Sequence, residues 1–251
     1  MVDVFEQNQS DIANWLSMQS KKVQTESTIV SSEDLGQNFM LHIDKKSPKV
    51  FVPQMPRRAS VSENNTTSRV TVAPTLLGCL IAYASADHDF RMGSNKQVAR
   101  DYSFRGGYEI NELEFTHCIK PSYKLVYDAD LTDEHWLVSF NKDTLQYKNR
   151  LIGKVFIKSI TSQAVSGNYP DTILTLYIEH QKPEGIKFSP NIHLKPGYYK
   201  AVLSFENEVA RSVNDEKDFR VKQVSENEYN EAKGLSASML SLSDKIPFMK
   251  W

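Results

Sequence analysis

The stretch Val-Thr-Val-Ala-Pro-Thr-Leu-Leu-Gly-Cys-Leu-Ile-Ala-Tyr-Ala, residues 70–84, decides how the rest of the chain can fold. Its first three residues are β-branched and predict a short strand. Pro74 favours the first turn of a helix, so residues 76–84 are expected to be helical. Because this helix would be apolar on every side, it must be buried. We therefore place it at the centre of the core.

Strand patterns lie on both sides of this segment. Runs of β-branched and aromatic side chains predict strands over residues 39–43, 50–52, 109–119, 124–127, 135–140, 155–160, 172–178 and 198–205. A capping box starting at Ser225 predicts a short charged helix that ends near Gly234. The expected fold is α+β, with mixed or mostly antiparallel β-sheets, few short helices and extended terminal arms.

Composition divides the chain into four predicted segments. They are an N-terminal helical arm and linker over residues 1–36, an α+β core over 37–145, a β-rich C-terminal lobe over 146–234 and a docking tail over 235–251. The total length suits one large domain or two smaller ones. The sequence leaves open whether the core and the β-rich lobe are separate.

Both termini carry large apolar side chains on polar segments. Trp15 and Leu16 lie on one face of a short predicted helix. This face is expected either to pack on the protein's own body or to dock on another subunit. A disordered tail would normally lack large apolar groups, so the C-terminal tail is expected to dock as well. The candidate partner-binding residues of the tail are Phe248, Met249 and Trp251.

The charge balance limits the class of partner. The 251 residues contain 30 Lys+Arg and 31 Asp+Glu, which gives a formal net charge of -1. A general nucleic-acid binder needs a surplus of cations to neutralise phosphates, so this balance argues against one. The first residues lack the apolar core of a secretory signal, and no run reaches the ~18 apolar residues of a membrane span. We expect a protein that is neither secreted through a signal peptide nor membrane-spanning.

A series of motifs between residues 38 and 140 carries a family resemblance. In chain order they are His42 on a strand, Pro53-x-x-Pro56, a polar loop over residues 63–69, Val72-Ala73-Pro74 with its helix, and a run from Leu125 to Trp136. This pattern resembles that of small phage- and prophage-encoded proteins whose fold is similar to that of ADP-ribosyltransferases.

The resemblance implies candidate catalytic residues. In a transferase of the His type, the first-strand His would hydrogen-bond the NAD ribose, and a later Glu would stabilise the oxocarbenium-like transition state. By position these residues are His42, which would bind the cofactor, and Glu134. Glu179, next to His180, is a second candidate for the Glu. The Glu-x-Glu or Gln-x-Glu turn of such enzymes is absent from this sequence, which argues against catalysis.

Other cofactor and metal chemistry finds little support in the sequence. The acidic run over residues 128–134 offers oxygen ligands for a hard cation, but it lacks the spacing of an EF-hand, so no metal site is predicted. Neither a phosphate-binding P-loop nor a dinucleotide-binding glycine fingerprint occurs. The expected cofactor is therefore none, or NAD under the transferase alternative.

We accordingly expect a non-enzymatic interaction or assembly protein encoded by a phage, either a virion or an accessory component. Its terminal arms would dock on neighbouring protein subunits in an oligomer or larger assembly, in the virion or in the host cytoplasm. The alternative is an NAD-dependent ADP-ribosyltransferase-like enzyme that modifies host proteins.

Overall fold

A computed structural model describes most of the chain. The described residues are 9–44, 46–56, 63–82, 107–139, 147–163, 171–205 and 219–243. Predictions that concern other positions, including the tail residues Phe248, Met249 and Trp251, lie outside this part. Among the helices of the described residues, none has both the length and the apolar character needed to cross a membrane.

The elements confirm an α+β protein with mostly antiparallel sheets and few helices. The helices are α1 (Gln9–Ser17), α2 (Lys21–Thr25), α3 (Ser32–Leu35), α4 (76–82), α5 (Ala129–Thr132) and α6 (Glu226–Ser243). The strands are β1 (Ser27–Ser31), β2 (Phe39–Asp44), β3 (Val50–Phe51), β4 (Val70–Val72), β5 (Tyr108–Glu114), β6 (His117–Pro121), β7 (His135–Leu137), β8 (Tyr147–Gln163), β9 (Asp171–His180), β10 (Ile186–Ser189), β11 (Ile192–Leu194), β12 (Gly197–Phe205) and β13 (Phe219–Val224).

These strands form three sheets. One has four strands in the order β1-β6-β7-β4, and a second contains only β10 and β11. The third has seven strands, six of them in the order β13-β12-β9-β8-β5-β2, with β3 paired to β8. The chain divides into two compact units, of which the first comprises residues 1–86, 110–152 and 186–193. The N-terminal segment thus belongs to the same unit as the predicted core.

The first unit contains the four-stranded sheet, whose recorded strand pairs are antiparallel. Thr71 of β4 and Ile119 of β6 both lie opposite Trp136, the middle residue of β7. Helices α1 and α2 bring Ile12, Trp15 and Val23 into one hydrophobic cluster with Ile119, Leu125, Trp136 and Val138. Short helices such as α1 and α2 are only marginally stable on their own, so most of their stability comes from burying these large apolar residues.

This packing corrects the interpretation of the N-terminal arm. Trp15 is only 6% exposed and lies in the core cluster of its own unit, and Leu16 is partly buried against the same cluster. Trp15 therefore offers little exposed apolar surface to a partner, whereas Leu16 is only partly buried, and a role of either residue in binding a partner stays a prediction. Of the two alternatives that the sequence left open, packing on the protein's own body is the one observed.

The expected buried helix is present as α4, which is buried along most of its length. Gly78 allows a close approach, because an added Cβ there would collide with the carbonyl oxygen of Thr132, the last residue of α5. Glycine is required where two backbones come this close.

The second unit, residues 87–109, 153–185 and 194–251, is built on long antiparallel strands. Strand β9 pairs with both β8 and β12, and β12 pairs with β13. Helix α6 packs Tyr229 and Ala232 against Phe156 and Tyr177 of the sheet. The predicted strands over residues 155–160, 172–178 and 198–205 are confirmed and are longer than expected.

Three local predictions are wrong. The predicted linker within residues 1–36 contains β1 and α3, because Ile29 and Val30 favour a strand that pairs with β6. Residues 124–127 form a turn closed by bonds from the Leu125 and Val126 N–H groups to the Ser122 carbonyl. Helix α6 continues past its predicted end at Gly234 to Ser243.

Candidate functional site: a buried arginine, glutamate and tryptophan cluster

The strand register of the first unit brings three chemically active side chains together. Arg69 immediately precedes β4, and Glu134 immediately precedes β7. Thr71 lies opposite Trp136, and side chains two residues apart on a strand share one face of the sheet. Arg69, Glu134 and Trp136 therefore project from the same face, and the distances between their atoms bear this out.

Arg69 is the centre of this cluster and is 5% exposed. One terminal nitrogen lies 2.8 Å from Glu63 Oε1, and the other donates to the Asn64 carbonyl oxygen at 2.8 Å. The guanidinium carbon lies 4.4 Å from the centre of the Trp136 ring, a cation–π distance. Arg69 Nε lies 3.9 Å from Glu134 Oε1. The side chain thus ties the loop over residues 63–69 to β7.

Glu134 is a buried carboxylate that lies against Arg69 and Trp136. Its Oε1 accepts a 2.6 Å hydrogen bond from Trp136 Nε1, and the residue is 6% exposed. Burial raises the pKa of Glu134 to about 7, although the positive charge of Arg69 and the Trp136 hydrogen bond both lower it. The negative charges of Asp128 and Glu63 raise it further. Glu134 can therefore hold or release a proton near neutral pH.

His42 is held by a separate set of contacts. Its Nδ1 donates to the Thr71 carbonyl oxygen at 2.6 Å, and its ring meets the edge of Phe51 at 4.8 Å between centroids. Burial lowers the pKa of His42, with the Thr71 hydrogen bond acting in the opposite direction. The recorded contacts of the described residues do not join His42 to Glu134.

The second candidate glutamate lies in the other unit, at the end of β9. Glu179 accepts a hydrogen bond from Tyr229, whose pKa is raised mainly by burial. Its neighbour His180 is fully buried and stacks on Tyr199 with 6.0 Å between ring centroids. Glu179 thus contacts α6 through Tyr229, and His180 contacts Tyr199 on the neighbouring strand β12 of the same sheet.

The acidic run over residues 128–134 folds as α5 and its cap. Asp133 adopts a left-handed conformation that ends the helix, and its carboxylate pairs with Lys120 Nζ at 2.7 Å. In the described parts of the chain, no group of three or more His, Cys, Asp or Glu side chains is placed to hold a metal ion.

Sequence reasoning missed the central residue of the cluster. In the sequence Arg69 is only the last residue of a polar loop over residues 63–69, whereas the structure buries it between Glu63, Glu134 and Trp136. The spacing Glu134-x-Trp136 at the start of a strand was the available signal, because it places both side chains on one face. The pairing of β4 with β7 that adds Arg69 is a long-range feature and has no local signature.

No protein-family model, curated protein or solved structure matches this chain.

Proposed function

We propose that the protein is a non-enzymatic interaction or assembly protein, a virion or accessory component of a phage, that docks on neighbouring protein subunits. The observation that carries this proposal is the engagement of both candidate catalytic residues. Glu134 is closed off beneath Arg69 and Trp136, and His42 is committed to the Thr71 carbonyl oxygen.

An ADP-ribosyltransferase needs these two residues to reach one bound dinucleotide. A glutamate that stabilises positive charge on a ribose must contact the sugar directly. The Glu134 carboxylate instead accepts a hydrogen bond from Trp136 and lies beside Arg69, and the residue is nearly inaccessible to solvent. The chemistry-bearing residues thus have structural partners, which favours a binding role over a catalytic one.

Exposed apolar side chains support the docking role. Met18 at the end of α1 is 70% exposed, and Tyr127 in the turn before α5 is 68% exposed. Tyrosine is enriched in protein interfaces because it buries a large apolar ring and keeps a polar hydroxyl. We assign the apolar tail residues Phe248, Met249 and Trp251 to the same role.

The test compares the full chain with a chain that lacks residues 244–251. Light scattering after size exclusion should show that the full chain self-associates with increasing concentration and that the deletion weakens this association. Calorimetry with millimolar NAD should show no heat of binding for either protein. Saturable NAD binding that His42→Ala abolishes, in a chain that stays monomeric, would overturn the proposal.

A further inference from the structure

Strand β1 forms one edge of the four-stranded sheet. The strand order β1-β6-β7-β4 places β6 on one side of it, and the described residues supply no strand for the other side. An open edge presents unpaired backbone groups that can pair with another chain. Which groups are free follows from the hydrogen-bond pattern with β6.

Two backbone hydrogen bonds at the ends of β1 fix this pattern. Ser122 N–H donates to the Glu26 carbonyl oxygen at 2.8 Å, and Ser32 N–H donates to the Thr116 carbonyl oxygen at 2.8 Å. Both pairs continue the register in which residue 28 lies opposite residue 120. In an antiparallel ladder the bonded pairs alternate with non-bonded ones, so the even-numbered residues of β1 point their backbone groups at β6. The odd-numbered residues point theirs away from it.

Three residues therefore face the open edge, and one of them is already engaged. Ser31 N–H donates to the Asp34 carboxylate at 3.0 Å as part of the capping box of α3. Ser27 and Ile29 are left with both an N–H and a C=O directed outward. Within the described chain, no backbone group is recorded as their partner on that side.

The side chains of β1 lack the features that usually prevent an edge strand from pairing with another chain. Residues 27–31, Ser-Thr-Ile-Val-Ser, include no charged residue and no proline, the features that commonly protect a sheet edge. The edge strand β13 differs, since it carries Arg220 and Lys222, both exposed. The nearby charge of Glu26 is neutralised, because its carboxylate binds Lys124 Nζ at 3.0 Å and Ser122 Oγ at 2.8 Å.

We propose that β1 is a self-association edge, at which β1 of a second copy pairs antiparallel about a two-fold axis through Thr28. In this register Ser27 of one copy lies opposite Ile29 of the other, so the free backbone groups form four hydrogen bonds. Thr28 meets its own symmetry mate in the non-bonded position, where side chains come closest. The inference rests on the proposed assembly function and assigns one of its interfaces.

The flanking helices are complementary in charge for this arrangement. Helix α2 precedes β1 and carries Lys21 and Lys22, whereas α3 follows it and carries Glu33 and Asp34. All four residues are exposed. Antiparallel pairing directs α3 of each copy toward α2 of the other, so opposite charges meet at both ends of the interface. Such complementarity favours this register over a parallel one.

The test places one charge on the proposed axis of the full chain. Thr28 is exposed and lies opposite Lys120 in its own chain, so Thr28→Glu adds a favourable cross-strand pair within the monomer. Across the axis two glutamates would meet, and the dimer dissociation constant should rise by about tenfold or more. Thr28→Lys should weaken the dimer in the same way, and an equimolar mixture of the two variants should restore it.

Sedimentation velocity gives the readout, with circular dichroism to confirm that each variant is folded. Thr28→Val and Gln223→Glu serve as controls, and both should associate like the unchanged chain. If the unchanged chain self-associates but Thr28→Glu leaves its dissociation constant unaltered, the β1 interface is wrong and the assembly proposal stands. If the unchanged chain is monomeric at every concentration, the β1 interface is wrong and self-assembly fails with it.

Discussion

At the scale of single residues, Glu134 makes folding depend on pH in an unusual direction. Burial holds its pKa near 7 in the folded chain, against 4.5 for an unperturbed glutamate. Between these values the folded chain binds more protons than the unfolded one, so stability falls as pH rises from about 4.5 to about 7. One pKa unit corresponds to about 1.4 kcal/mol, so the total cost is on the order of 3 kcal/mol.

Glu134→Gln should remove most of this pH dependence. Glutamine keeps an oxygen that can accept the Trp136 hydrogen bond, but it does not titrate. The free energy of unfolding from urea denaturation, measured at several pH values between 4 and 8, should fall less steeply in the variant. Glu33→Gln, at an exposed position in α3, is the control and should follow the unchanged chain. Parallel profiles for the unchanged chain and Glu134→Gln would contradict this account.

Arg69 should be among the most sensitive positions of the first unit. Arg69→Met removes the cation between Glu63 and Glu134, and breaking a buried ion pair on one side costs about 3–5 kcal/mol. The double variant Arg69→Met with Glu134→Gln should lose less stability, because the buried carboxylate of Glu134 is gone. The carboxylate that remains beside the apolar replacement, that of Glu63, is 22% exposed and can reach water. Denaturation at pH 8 measures both, and Arg220→Met on an exposed position of β13 is the control. Equal losses in the single and double variants would show that the two residues are not coupled.

At the scale of elements, α1 is a structural helix. Trp15→Ala should destabilise the chain by about 3–5 kcal/mol, because it empties a large volume in the cluster with Trp136. Met18→Ala, at a 70% exposed position just beyond the same helix, should change stability by less than about 0.5 kcal/mol. Thermal and urea denaturation test the pair. If Trp15→Ala kept full stability but lost self-association, the original docking hypothesis for this helix would be right.

Replacing each of two helical glycines with alanine should change the stability of the chain in opposite directions. Gly78→Ala in α4 drives a methyl group into the Thr132 carbonyl oxygen and should cost on the order of 1–3 kcal/mol. Gly234→Ala in α6 meets no atom within 4 Å and should stabilise by about 0.5–1 kcal/mol, since alanine favours the helix. A stabilising shift from Gly78→Ala would contradict the packing of α4 against α5, and a destabilising shift from Gly234→Ala would contradict an open helical position at residue 234.

The sequence predicts elements that have strong local patterns. It misses elements that form only through pairing with distant segments of the same chain. Strands such as β2 and β12 and the apolar helix α4 were predictable from side-chain branching and apolar runs. Strand β1 was missed although Ile29 and Val30 favour a strand, because these two residues lie within a longer polar stretch and the strand is completed by pairing with β6. Helix α6 continues through Gly234, and a glycine there resembles a helix end in sequence.

At the scale of the whole molecule, the sequence identified one residue of the candidate site but not the residues that surround it. Glu134 was singled out only because the family resemblance implied a catalytic glutamate. Its contacts are with Arg69 and Trp136, and Arg69 lies near it only after β4 pairs with β7. The charge balance argued against a general nucleic-acid binder, yet an even balance cannot reveal a buried cation. Long-range pairing, and not composition, decides which charged groups become inaccessible.

The measurement that tests assembly most directly is the mass of the full chain in solution, by sedimentation velocity over a wide range of concentration. If the protein assembles as proposed, the mass rises reversibly above the 28.7 kDa of one chain as concentration increases, with no change on adding NAD. A single species at 28.7 kDa across the whole range, together with saturable NAD binding that requires His42, would contradict it.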